Sequence, residues 1–251
     1  MHTRFLMPAL LLAALSSPAA AITLGQEDIP DPIKPGATCT VPVPNSYGSY
    51  IYHYPSKYEL VFWPHAAANM IWFCPESGFA SFIGDADKLS DADKAALTTH
   101  LAANYRKGTA PPTELEKIAL LRQSYAHRKQ EEAPRIAMLR ALAYMYEEAG
   151  DAKNAEALRR EALAAIHARL AGAELDEPTR LEYLFVSAAY EREFGDPARS
   201  DAQLKLLDSK LLDAKDPKLQ DYVEYLGQLR REIPLIQPGG VLAPVAGAEG
   251  R

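Results

Sequence analysis

The chain has 251 residues, 48% of them hydrophobic and 24% charged, with a formal net charge of -6, which bounds it to one or two modest globular domains. A mildly acidic surface argues against nucleic acid and anionic membrane as the main partner, because both are bound through basic surface. Two cysteines, Cys39 and Cys74, are too few for a four-thiolate zinc site.

Taken in chain order, residues 1–21 read as a removable secretory signal. Arg4 gives a basic start, Phe5 to Leu15 are apolar, and Ser16 to Ala21 end in an Ala-x-Ala pattern. The apolar run is shorter than the roughly 20 residues a membrane span needs. No later stretch is long and charge-free, and no cysteine comes after the run to carry a lipid. The expected location is periplasmic or secreted, with no membrane span. Residues 22–38 read as an extended linker.

Residues 39–85 read as a small β module. The segment from Tyr47 to Phe82 holds half of the chain's aromatic residues, including both tryptophans. Tyr50, Tyr52 and Tyr54 alternate with Ile51 and His53, the period of a strand with two different faces. Pro42, Pro44, Pro55, Pro64 and Pro75 keep the strands short and at edges. So few residues bury little core alone, and the module is expected to lean on the helices beyond it.

Residues 86–231 read as an α-helical domain of about seven helices over Ser90 to Arg230, with sequence neighbours antiparallel. Thr113-Glu114-Leu115-Glu116 is a capping box. Gly150-Asp151 and Gly195-Asp196-Pro197 each set a C-terminal glycine beside an aspartate N-cap, and Asp216-Pro217 marks another start. Apolar residues recur at helical spacing between these marks, as in Ala155, Leu158, Ala162, Ile166 and Leu170. Residues 232–251, rich in proline, glycine and alanine, read as a disordered tail.

The helical region repeats itself. Ala143 to Asp151, with Ala155 beyond it, recurs 45 residues later as Ala188 to Asp196, with Ser200 beyond it. This resembles the tetratricopeptide repeat, in which an aromatic-ended helix and a Gly-Asp turn lead into a second helix with small residues at the seam. The period exceeds the about 34 residues of that family, so the helices are expected to be longer. The resulting fold class is mostly α, a tetratricopeptide-like antiparallel helical array with a small N-terminal aromatic-rich β module.

Cys39, the aromatic segment, Cys74-Pro75-x-x-Gly78-Phe79-Ala80-x-Phe82 and the helices together resemble a bacterial family. That family pairs a zinc-ribbon-like module, with a Cys-Pro-x-Cys-Gly-Tyr-Ala-x-Phe segment, with helical repeats. The likeness implies that Cys39 and Cys74 match the first cysteine of each knuckle. Pro42 and Ser77 stand where the partner cysteines would be, which puts the family's zinc site in doubt.

In an oxidising compartment the two cysteines are expected to form a Cys39–Cys74 disulfide. The alternatives are a metal site of Cys39, Cys74, His53 and His65, or two free thiols. His100, His127 and His167 fall on different helices without ligand spacing and read as isolated surface residues. The run Arg159-Arg160-Glu161 reads as a solvated helix face. No Gly-x-Ser-x-Gly elbow, P-loop or His-Glu-x-x-His is present, and no cofactor is expected. The functional expectation is an exported, non-enzymatic binding or scaffold protein whose helical groove takes a peptide or protein partner, with Arg140, Tyr144 and Tyr190 as groove candidates. The alternative is a cell-envelope enzyme or carbohydrate-binding protein with its site around His53, His65 and Glu76.

Overall fold

The computed structural model describes residues 24–44, 67–172 and 174–240. Among the described residues the fold is mostly helical, with two small antiparallel sheets near the N-terminus. The first sheet pairs β1 (Leu24–Pro30) with β2 (Thr38–Pro44), in a register that sets Ile29 opposite Cys39. β1 occupies the stretch expected as a linker. Gly25-Gln26-Glu27-Asp28 has no apolar alternation to announce a strand, and pairing with β2 supplies what propensity does not. Asp31 fixes the connection: its Oδ1 accepts the amides of Ile33 and Lys34 at 2.9 and 3.0 Å, while its own amide donates to Ala37 O.

The second sheet pairs β3 (Trp72–Cys74) with β4 (Phe79–Ser81) around a tight turn. The Gly78 amide donates to Cys74 O at 2.8 Å, and Gly78 has φ +79°, a conformation glycine adopts without penalty. Cys74 to Gly78 therefore form a tight turn, with Ser77 within it. Cys39 of β2 and Cys74 of β3 are joined by a disulfide with a Cα separation of 4.9 Å. The Tyr50–Tyr54 alternation lies outside the described residues.

Seven α-helices come next among the described residues, beginning with α1 (Asp91–Asn104), which the Ser90 hydroxyl caps, and α2 (Glu114–Ala126), which carries the Thr113–Glu116 capping box. Then come α3 (Glu132–Glu148), α4 (Ala152–Gly172), α5 (Glu177–Glu193), α6 (Pro197–Asp213) and α7 (Gln220–Arg230). Asp216-Pro217 opens a short 3-10 turn before α7.

The α3–α4 and α5–α6 hairpins turn in the same way. Asp151 N donates to Tyr146 O and Asp196 N to Glu191 O, both at 2.8 Å. Gly150 N and Gly195 N bond to Glu147 O and Arg192 O. Both glycines have φ near +80°, completing a paired C-cap that satisfies the last carbonyls of each helix. Ala155 and Ser200 sit at equivalent positions and are fully buried, and the Ser200 hydroxyl bonds Ala188 O at 2.8 Å across the seam.

Among the described residues two apolar cores result. The larger runs through α2 to α7 and takes in Ile71 and Ala80 from the β module. The smaller surrounds the disulfide and includes Val41, Met70, Trp72 and Phe79, closed by Leu97 and Leu101 of α1. α1 thus packs as part of the β module's core, on the other side of the boundary expected at residue 86. Burying each leucine there stabilises the module by roughly 1.5 to 3 kcal/mol. The junction with the helices is hydrogen-bonded, Ala80 N to Ser124 Oγ and Phe82 N to the Tyr125 hydroxyl, both at 3.3 Å. At the other end, the expected tail from residue 232 begins as packed structure. Ile233 and Ile236 are buried, and Gly239 N bonds Glu193 O at 2.8 Å. Residues 241–251 lie outside the described residues.

Candidate functional site

The residues expected to act fall in three places. Cys39 and Cys74 form the disulfide, with Asp31 and Ser77 beside it, whereas His53 and His65 lie outside the described residues. Glu76 sits on the β3–β4 turn between two lysines, paired with Lys34 at 3.0 Å and with Lys107. Hydrogen bonds from these lysines, Lys107 foremost, hold its carboxyl below the ordinary glutamate range. That is the opposite of the raised value a general acid needs.

The three groove candidates do not line a common surface. Tyr190 is 1% exposed, in the main core, because α5 is buried nearly all round by its neighbours. Arg140 is buried on α3 and donates to Glu182 of α5 at 2.6 Å, so it ties the two hairpins together. Tyr144 is half-buried on α3. A partner does not meet Tyr190, and the Arg140 guanidinium is engaged within the array.

Solvent does reach a groove of about 340 Å³ between α4, α5 and α6. The C-terminal part of α4 contributes His167 and Leu170, α5 contributes Arg180 and Leu184, and α6 contributes Leu206 and Lys210. Leu206 is 54% exposed. No carboxylate lines the groove, and neither Arg180 nor Lys210 has a salt-bridge partner among the described residues. Apolar side chains with basic side chains around them give this surface a mixed apolar and positive character.

Behind His167 lies a buried carboxylate. Glu191 of α5 is almost fully enclosed, with Oε1 3.4 Å from His167 Nε2 and 3.9 Å from Arg199 Nη1. Burial pushes its carboxyl above the ordinary range, and His167 and Arg199 offset this in part. His167 is therefore not the isolated surface residue its spacing suggests. The signal that points to the pair is in the repeat: Glu191 occupies, 45 residues on, the place of the buried Tyr146. Arg159 departs from expectation for a related reason. Within an apparently solvated charge run it is 1% exposed, bonded to Glu147 at 2.9 Å and 3.7 Å from Glu193. Its neighbour Arg160 is exposed and lies over the Phe194 ring.

His100 and His127, set apart in sequence, stack with ring centroids 3.9 Å apart. A second, wider cleft of about 660 Å³ lies between the β module and the α1–α2 connection, where Phe73 and Tyr105 meet edge to face. No helix among the described residues is long and apolar enough to cross a membrane. The chain matches no protein-family model, no curated protein and no solved structure.

Proposed function

We propose that this chain is an exported binding protein whose tetratricopeptide-like hairpins take an acidic, aliphatic-bearing segment of a partner protein in the α4–α5–α6 groove. One observation carries the reading: Arg180, Lys210 and His167 surround Leu170, Leu184 and Leu206 with no carboxylate in the lining, on a chain of net charge -6. Local charge opposite to the global charge selects an acidic ligand and steers it to this face. Export is supported by the leader-like pattern of Met1 to Ala21 and by the disulfide.

The test is fluorescence anisotropy with a labelled peptide of alternating glutamate and leucine, set against its lysine and leucine counterpart. The acidic peptide binds, its affinity falls with added salt, and Arg180→Glu/Lys210→Glu weakens it by about tenfold or more. Leu206→Ala weakens it without changing the salt dependence. Equal binding of both peptides, or an unchanged affinity in the charge-reversed variant, overturns the reading.

A further inference from the structure

The cystine core holds a third metal-ligating side chain, from a stretch that reads in sequence as a linker. A carboxylate oxygen of Asp31 and the sulfurs of Cys39 and Cys74 all lie within 4.8 Å of one another, and all three residues are buried. Asp31 comes from the turn after β1, Cys39 from β2 and Cys74 from β3, so only the folded module brings them together. Asp31 Oδ1 is fixed by the Ser77 hydroxyl and two backbone amides. Oδ2, in contrast, is buried without a hydrogen-bond partner among the described residues. A buried carboxylate oxygen with nothing to accept is costly to keep, and a cation is the partner this chemistry suits.

We propose that the module is a redox-gated metal site, closed while the disulfide is intact and able to hold zinc through Cys39, Cys74 and Asp31 once the disulfide is reduced. Reduction by a dithiol breaks the S–S bond, transfers two electrons and two protons to the cysteine sulfurs, and leaves the dithiol oxidised to its own disulfide. The zinc ion then displaces the two thiol protons and bonds both thiolates and the carboxylate, leaving a fourth position for water. Two soft sulfurs with one carboxylate suit zinc over magnesium or calcium, which prefer oxygen. Ser77 is then a positioning residue: its hydroxyl orients the carboxylate as groups behind a ligand do. The Ser77 that abolishes a four-sulfur knuckle thus supports a three-ligand one.

The experiment uses the full chain reduced with a phosphine, which takes up oxygen from water as the disulfide is cleaved, and desalted without air. Cobalt(II) is the probe, read by thiolate-to-cobalt charge transfer and visible bands of a tetrahedral ion. The reduced chain binds one cobalt, displaced by zinc, and the oxidised chain shows no such bands. Asp31→Asn, which keeps the carbonyl oxygen for the turn, weakens binding by more than about tenfold, and Ser77→Ala by about tenfold. His53→Ala/His65→Ala binds as the wild type does. Zinc also raises the thermal midpoint of the reduced chain, since binding to the folded state stabilises it. Absence of the bands in the reduced chain, full affinity in Asp31→Asn, loss of binding in the histidine variant, or no rise in midpoint would each overturn the proposal.

Discussion

The Ser77 hydroxyl donates a 3.0 Å hydrogen bond to the Asp31 carboxylate, across 46 residues of sequence, and ties the β3–β4 turn to the turn after β1. Both residues are buried, and the same hydroxyl accepts the Phe79 amide at 3.1 Å. Removing a hydroxyl from a buried charged acceptor costs more than losing a surface contact. Ser77→Ala is therefore expected to lower stability by about 1.5 to 3 kcal/mol, measured as a shift in urea midpoint at unchanged slope.

The Cys39–Cys74 link closes a loop of sequence separation 35. Restricting the unfolded chain over that length stabilises by about 4 kcal/mol on the chain-entropy account. Cys39→Ala/Cys74→Ala is expected to lose about that much in urea unfolding of the oxidised proteins. A loss confined to a few tenths of a kcal/mol would show that the packing of Val41, Trp72 and Phe79 holds the module unaided.

Gly78 has its α-carbon under the Tyr105 ring. A Cβ there would lie 2.2 Å from the ring, at a φ of +79° that L side chains resist. Tyr105 has little freedom to retreat, since its hydroxyl bonds Pro75 O at 2.9 Å. Gly78→Ala is expected to destabilise by about 2 to 4 kcal/mol, combining backbone strain with overpacking. Adding Tyr105→Ala should relieve the overpacking part and leave the strain, which a double-mutant cycle reads directly.

Arg159 carries its charge into the main core, against Glu147 and Glu193. Arg159→Met keeps much of the buried stem but leaves carboxylates behind in low dielectric. The expected loss is about 3 to 5 kcal/mol. Arg159→Met/Glu193→Leu should lose less than the single variant, because the second change removes one stranded charge; chemical denaturation of both variants checks this.

Burial is the main cause of the raised Glu191 pKa, so the folded state holds that proton more tightly than the unfolded one. For an acid shifted upward, the stabilising contribution is full below the unfolded pKa of about 4.3. It is lost as pH rises through the folded value. Glu191→Gln removes this titration. Wild-type stability is therefore expected to fall relative to the variant as pH rises from about 4 through the raised folded value, read from paired urea titrations. A constant difference between the two proteins across that range would show that Glu191 is equally solvated in both states.

The sequence by itself determined that the chain beyond Ser90 is helical and where several of the helices start or stop. Thr113–Glu116 and the two Gly-Asp turns act within a few residues of themselves, so the local chain carries all the information they need. Which side chains face solvent was decided elsewhere. Tyr190 and Glu191 are buried because α5 is packed by neighbours nearly all round, and Arg159 of α4 is drawn inward to the carboxylates of the helices beside it. β1 is likewise a product of pairing. Its own residues lack strand alternation, and only the edge of β2 gives it hydrogen bonds to make.

The site divides in the same way. The cysteine pair and the turn at Gly78 were legible, because two sulfurs in one chain allow a single intramolecular pairing and Cys-Pro-x-x-Gly is a local signal. Asp31 was not, for it comes beside the two sulfurs only when the turn after β1 is folded against β2 and β3. Nor was the α4–α5–α6 groove, which exists only because three successive helices pack so that His167, Arg180 and Lys210 meet there with no carboxylate in its lining. Short-range capping and turn geometry are written in consecutive residues, whereas burial, charge compensation and ligand convergence are sums over distant ones that only packing performs.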